Sequence, residues 1–368
     1  MSTGTLNAPN PTAPRDPASV NAEDWAIVVG IDVYPGLKNL NLQGSSNDAN
    51  EMYQWLTGPA PSAGGVPKDQ ARLIRSSDFP GPFASPLDGR PAHSELEREL
   101  LRLDARAKAN NQAGQRFRIG RRLYLYFSGH GCAPELNESA LLAADASPDL
   151  SGLHIPGRLW AHVFRVRGYF DEVILLMDCC RESFPTIQVR KPPLDLTTAD
   201  TTAVDNGRRF YGFATKWSRT TKEIPINGVM RGVFTHALLQ GLGGKACDPG
   251  TGVITADSLA SWLSIHMLDE LTPQQLDGLG SRLAPDLDYD PTEARQIVLA
   301  RVRPQTKEVS IRVPAAWVGQ QVQLLDGFLN PFQTIAQAPA ELVLQLLPGL
   351  YLLQRTGSDE DISFRVPR

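Results

Sequence analysis

The chain has 368 residues, 42% of them hydrophobic and 21% charged, and carries a formal net charge of -4. That length accommodates a sizeable core divided between domains, while the slightly acidic balance leaves no surplus of basic surface and argues against a nucleic-acid partner. No apolar run reaches the ~18–20 residues that span a bilayer, and residues 1–24 lack the apolar centre of a signal peptide, so a soluble, cytoplasmic protein without membrane contact is expected. Cys132, Cys179, Cys180 and Cys247 are too few for a disulfide framework, and an adjacent pair bridges poorly, so free thiols are expected.

Residues 1–23 carry Pro9, Pro11, Pro14 and Pro17 without apolar periodicity and read as a disordered arm. Trp25 to Val33 then supplies an apolar run closed by Tyr34-Pro35-Gly36, the pattern of a buried strand ending in a turn. Asn47-Asp48 suits the cap of a helix that places Met52, Trp55 and Leu56 on one face and stops at Gly58-Pro59. A short strand, Ala71 to Ile74, sits between Gly- and Pro-rich loops. Ser94 and Glu97 resemble a capping box ahead of a helix with Leu96, Leu100, Leu101 and Leu103 at helical spacing. The strand Leu123 to Phe127 runs into Ser128-Gly129-His130-Gly131. A helix from Pro156 to Arg167, with Leu159, Trp160, Val163 and Phe164 inward, leads to Val173 to Met177, a strand apolar on both faces that stops at Asp178-Cys179-Cys180-Arg181.

Residues 184–209 read as an exposed linker with basic pairs, Arg190-Lys191 and Arg208-Arg209, near its ends. Beyond it come a strand from Phe210 to Thr215, a helix from Gly232 to Leu242 and another from Thr255 to Leu271. Asp286, Asp288 and Asp290, lying between Pro285 and Pro291, read as an ordinary loop. From Lys307 onward, short apolar runs at Val309–Val313, Val322–Leu325, Leu342–Leu347, Leu350–Leu353 and Ile362–Val366 alternate with turn residues, the layout of a small antiparallel β domain. The expected organisation is an α/β domain over 24–303, its mostly parallel sheet flanked by helices, followed by a β domain over 307–368.

In parallel sheets chemistry gathers at the carboxyl ends of strands. Two strands end here on reactive groups: one on His130, set between glycines that let backbone pass close to a substrate, and one on a cysteine pair. A thiolate activated by an imidazole, with backbone N–H groups to hold an oxyanion, is the minimum equipment for attack on an amide carbonyl. A cysteine at a strand end also suits a small core residue, so the pair alone does not decide.

The combination resembles the caspase-like cysteine peptidases, in the branch of metacaspases and paracaspases. The similarity rests on Ala26-Ile-Val-Val-Gly-Ile-Asp with Asn47-Asp48-Ala49, on Tyr126-Phe-Ser-Gly-His-Gly131, on Leu176-Met-Asp-Cys-Cys-Arg181 and on Gly232-Val-Phe-Thr-His-Ala-Leu238, in family order over residues 25 to about 300. The resemblance implies a caspase-like fold, His130 as general acid/base, Cys180 as nucleophile, and the N–H groups of Gly131 and Cys180 as oxyanion donors. Cys179 fills the variable position before the nucleophile and should point to the opposite face if the strand geometry persists. Where caspases proper hold a substrate Asp with arginines, this chain carries Asp178. The resemblance implies that Asp178, Asp48, Ser128 and, in a paracaspase-like role, Glu223 bind a guanidinium or ammonium, so that protein substrates are cut after Arg or Lys. Asp48 keeps its competing reading as a helix cap.

The resemblance also implies processing near Arg190, Lys191, Arg208 or Arg209 by the enzyme itself or by an activating protease. Prokaryotic relatives often act as triggered proteases in stress or antiviral defence, with regulatory partners. No cofactor is expected; the resemblance leaves calcium open, since some metacaspases require it, though no acidic cluster of oxygen-ligand spacing supports it here, and the adjacent cysteines lack the Cys-x-x-Cys reach of a metal site. The alternative is a catalytically silent caspase-like scaffold serving as a regulatory interaction protein, a reading that an intact Cys-His pair disfavours.

Overall fold

The computed structural model describes residues 21–135, 137–150, 152–181, 188–194, 207–216, 223–269, 271–279, 283–303, 306–327, 329–358 and 360–367. The expected N-terminal arm lies outside them except for Asn21–Glu23, one turn of 3-10 helix. In chain order the elements are β1 (Asp24–Gly30), α1 (Ser45–Thr57), β2 (Ala71–Arg75), α2 (His93–Gln112), β3 (Gly120–Gly129), β4 (Gly131–Cys132), β5 (Ala140–Leu142), β6 (His154–Pro156), α3 (Gly157–Val166), β7 (Phe170–Cys179) and β8 (Arg208–Phe213). They continue with β9 (Glu223–Ile226), β10 (Val229–Gly232), α4 (Val233–Gln240), β11 (Val253–Thr255), α5 (Ala256–His266), α6 (Pro273–Leu279), β12 (Asp286–Tyr289), α7 (Pro291–Gln296) and β13 (Val298–Arg301). The last are β14 (Lys307–Arg312), β15 (Val322–Asp326), β16 (Pro331–Ile335), β17 (Glu341–Leu346), β18 (Gly349–Arg355) and β19 (Asp361–Val366). The chain divides into two compact units, Met1–Thr235 with Leu271–Asp290 and His236–Glu270 with Pro291–Arg368.

The first unit is built on a sheet in the order β12-β8-β7-β3-β1-β2, parallel throughout except for the antiparallel edge strand β12. Its central strands are apolar on both faces because both are covered. Ile27, Val29, Leu123, Leu125, Phe127, Val173, Leu175 and Met177 join one core with Leu96 and Leu100 of α2 and Trp160 and Phe164 of α3. On the opposite face α1 packs so closely that a methyl group on Gly30 would fall 2.3 Å from the Ser45 carbonyl.

Three local expectations are corrected. The helix with Met52 and Leu56 starts at Ser45, so Asn47-Asp48 is not its cap; Asp32 accepts from the N–H of Ser46 at 3.2 Å, and Glu223 from those of Gln43 and Gly44 at 2.8 and 2.9 Å. Helix α2 starts at His93, and its returning carboxylate is Glu95, on Ala92 N–H at 2.9 Å, in place of Ser94 with Glu97. The supposed acidic loop is strand β12, whose Asp288 ion-pairs with Arg158 and Arg209 and whose Asp286 ion-pairs with Arg181. Aspartate is disfavoured in strands, and arginines from elsewhere in the unit compensate it.

In the second unit β11 pairs antiparallel with β13, and Thr255 caps α5 by accepting from Ser258 N–H at 3.1 Å. The C-terminal strands form the pair β14-β17 and the sheet β16-β15-β18-β19, all antiparallel, over Trp317, Val322, Leu324, Leu344 and Leu353. Strand β16 escapes the sequence pattern because its residues are almost all exposed and show no apolar alternation. Among the described residues no helix is long and apolar enough to cross a membrane.

Candidate active site

Strands β3 and β7 are neighbours, and their register sets Ser128 beside Asp178 and Gly129 beside Cys179. The next residue of each chain leaves the same end of the sheet: His130 from one, Cys180 from the other, both half-buried. Strand alternation separates the two thiols. Cys179 faces the core, fully buried, with Sγ donating to the Phe127 carbonyl at 3.6 Å. Burial, reinforced by the Asp178 charge, pushes its thiol well above the ordinary value, so it stays protonated. Cys180 is the accessible member of the pair.

His130 is held from two sides. Its Nε2 hydrogen-bonds the Leu40 carbonyl oxygen, which can only accept, so Nε2 carries the hydrogen and Nδ1 is the basic nitrogen. Its backbone N–H donates to the buried Tyr34 hydroxyl at 2.8 Å, and the two rings pack 4.8 Å apart. A methyl group on Gly131 would fall 2.6 Å from both Cys179 Cβ and the Cys180 carbonyl oxygen. Only glycine permits that approach of the histidine loop to the cysteine strand end.

Asp178, Ser128 and Tyr126 lie on the sheet face opposite Cys179, because they alternate with it along β7 and β3. Asp178 Oδ2 accepts from the Thr235 N–H at 3.0 Å and its hydroxyl at 2.7 Å, and the Tyr126 hydroxyl meets the same Thr235 oxygen at 2.6 Å. Asp48, on α1, reaches the same place: its Oδ2 accepts from Gly232 N–H at 2.9 Å. A methyl group on Gly232 would fall 2.1 Å from Asp178 Oδ2 and 2.9 Å from Asp48 Oδ2, so this glycine admits both carboxylates against one stretch of backbone. Asp48 Oδ1 is buried with no hydrogen-bond partner among the described residues. Burial first, then Asp178, Glu223 and Glu51, pushes the Asp48 carboxyl well above its ordinary range.

Glu223 spends both oxygens on the start of α1, adding the Ser45 hydroxyl at 3.3 Å to the backbone contacts. It thus holds the helix that carries Asp48. The β9-β10 hairpin is strapped to α1 again by Arg231 with Glu51 and by Asn47 Nδ2 on the Met230 carbonyl at 3.3 Å. Sequence reasoning missed Tyr34, the Leu40 carbonyl and Thr235, together with the buried Arg181, which ion-pairs with Asp286 and stacks over Phe213 at 4.7 Å. Thr235 lies in a motif already singled out. Tyr34 reads as turn punctuation, and a backbone carbonyl leaves no residue-type signal.

Of the basic pairs, Arg190 and Lys191 are exposed, Arg190 donating its N–H to His154 Nε2 at 3.3 Å. Arg208 and Arg209 are not linker residues: they open β8, paired with Glu172 and Val173 of β7, and their side chains bind Glu172 and Asp288. The rest of 184–206 lies largely outside the described residues. Among the described residues no three His, Cys, Asp or Glu side chains converge as a metal-ligand set.

Residues 23–256 match the family model for the caspase domain. A probable protease of a Desulfuromonadales bacterium is 27% identical over 237 residues, an alignment covering 60% of this chain but only 26% of that protein's length. Among solved structures, caspase-1 from Spodoptera frugiperda superposes with a TM-score of 0.45 at 8% identity, over 80% of this chain and 100% of that one. A structure of pro-sf-caspase-1 gives 0.42 at 11% identity, over 76% and 96%. The match across residues 23–256, more than half of the chain, places this protein in the caspase-like cysteine peptidase family.

Proposed function

We propose that this protein hydrolyses peptide bonds after Arg or Lys, with Cys180 as nucleophile and His130 as acid/base. In this reading Nδ1 of His130 takes the Cys180 proton, and the thiolate attacks the scissile carbonyl carbon. The N–H groups of Gly131 and Cys180 receive the developing oxyanion. As the C–N bond breaks, His130 returns the proton to the leaving amine, and it then activates the water that hydrolyses the thioester. Tyr34 and the Leu40 carbonyl are positioning groups, because they fix the imidazole's place and tautomer.

The observation that carries the specificity is Asp48: a buried carboxylate with one oxygen lacking a partner among the described residues, in a field made by other acids. A guanidinium or ammonium entering beside Asp178, with Ser128 at the pocket wall, supplies the counter-charge and returns Asp48 to its ionised form. Glu223 acts one step removed, by fixing α1.

The test uses fluorogenic peptides that differ only in the residue before the cut. Arg and Lys substrates are expected to be cleaved, Asp substrates not. Cys180→Ala should abolish turnover, and Cys179→Ala should keep it. Cleavage lost only in Cys179→Ala would reverse the assignment, and no cleavage of any peptide by freshly purified and by processed protein would favour the silent scaffold. Processing is proposed at Arg190 or Lys191, since the bonds after Arg208 and Arg209 run inside the sheet. Intact mass of the wild type beside Cys180→Ala checks whether the cut is self-inflicted.

A further inference from the structure

Outside the candidate active site, α3 and the β8–β12 edge of the sheet line an open cleft of about 290 Å³. Its lining follows from simple periodicities. Arg158, His162 and Arg165 recur at helical spacing on one face of α3, and Arg209 and Tyr211, two apart on β8, face the same side of the sheet. Asp288 of β12 sits directly opposite Tyr211. Three guanidinium groups therefore line one small space: Arg158 and Arg209 share the Asp288 carboxylate, and Arg165 donates from a terminal nitrogen to the Gly207 carbonyl at 3.3 Å.

Two observations point to a missing anion. The Tyr211 hydroxyl, on a side chain only 2% exposed, and Arg209 Nε have no hydrogen-bond partner among the described residues. Burial first, then the charges of Arg165, Arg209 and Arg158, pushes the His162 imidazole below its ordinary value. Of the acids at the cleft, Glu138 accepts from the N–H groups of Ser139, Arg158 and Leu159 at 2.9, 2.9 and 3.0 Å, and burial lifts it to about 7, so it is only partly charged at neutral pH. Glu135 also lines the cleft.

We propose that this cleft binds the phosphoryl group of a small phosphorylated molecule, gripped by Arg165 and Arg209 with the Tyr211 hydroxyl as a further donor. Planar guanidinium forks match phosphate oxygens two at a time, which favours phosphate over a lone chloride. The concave space is larger than one ion needs and leaves room for an organic body.

The experiment titrates the full chain with inorganic phosphate, with adenosine monophosphate and with adenosine at constant ionic strength, by calorimetry. Expected are binding of both phosphate-bearing probes, the nucleotide more tightly, and no binding of adenosine. Arg165→Ala and Arg209→Ala should each weaken both at least about tenfold, Tyr211→Phe less, and Asp288→Asn, which removes a competing carboxylate, should tighten them. In the wild type, saturating phosphate should move the His162 imidazole titration, followed by NMR, to higher pH, a readout independent of how any variant folds. Unchanged affinity in both arginine variants, or a His162 titration indifferent to phosphate, overturns the site. Equal affinity for phosphate and the nucleotide overturns the organic ligand, and binding by an acidic peptide that phosphate does not displace overturns the small-molecule assignment.

Discussion

Two places in the first unit gather ionisable side chains, acids in one and arginines with acids in the other, and the fold holds them in opposite ways. The carboxylates of Asp48, Asp178 and Glu223 are held by the backbone N–H groups of Gly232, Thr235, Gln43 and Gly44, fixed dipoles that orient an anion without neutralising it. The guanidinium groups of Arg158 and Arg209 are held by another side chain, the one Asp288 they share. Asp48, fixed by backbone with one oxygen unpartnered among the described residues, leaves its ionisation to a visitor. A charge fixed by a counter-ion keeps only the surplus. The acidic pocket is therefore expected to discriminate sharply between substrates, and the basic cleft to bind its anion more weakly.

The largest effect expected from this contrast is in the pocket. Asp178→Asn keeps the shape and the Thr235 contacts but removes a desolvated charge, and it should lower kcat/KM for Arg peptides by roughly 100-fold or more while leaving Thr235 in place. Steady-state kinetics with Arg and uncharged-residue peptides measure the ratio; an equal loss for both would mean that Asp178 supports structure alone.

Next is the ion pair beside Cys180. Arg181 is 1% exposed, and Asp286→Ala leaves it, among the described residues, against Phe213 and the Thr215 carbonyl, at 3.4 Å. The partner is 41% exposed, which keeps the cost below that of a fully buried pair, at about 2 kcal/mol. Denaturant midpoints compared with Asp288→Asn, which keeps a carbonyl oxygen for the two arginines that share it, sharpen the comparison of the two β12 acids.

The smallest effect has the opposite sign. Asp48 has a raised carboxyl in the folded state, so folding favours its protonated form; that contribution is complete at acid pH and is lost as pH rises through the folded value. Asp48→Asn should therefore stabilise the protein at neutral pH, by about 1 kcal/mol, while weakening Arg-peptide cleavage. The advantage over wild type should fade on acidification, as urea melts across pH 4 to 8 will show.

Much of this was legible in the residues. Val173 to Met177 and Leu123 to Phe127 announce buried parallel strands because both faces are apolar, and the polar residues that end them mark the working edge of the sheet. Alternation along β7 already separates Cys179 from Asp178 and Cys180, since the period is two. The longer-range features left weaker traces. Asp32 and Glu223 cap α1 from outside its own sequence, so a local search settles on Asn47-Asp48 instead. Arg208 and Arg209 look like linker because their partners, Glu172 and Asp288, are 36 and 79 residues away. Strand β12 is hidden for the same reason: its aspartates become strand-compatible only once the arginines arrive.

The position of β8 has a bearing on what a nick would do. It lies between β7 and β12, hydrogen-bonded to one and paired antiparallel with the other, and both β8 and β12 come after the segment that carries Arg190 and Lys191. Severing the backbone there frees two new ends but leaves the sheet whole. The halves should travel through gel filtration as a single particle and come apart only in denaturant.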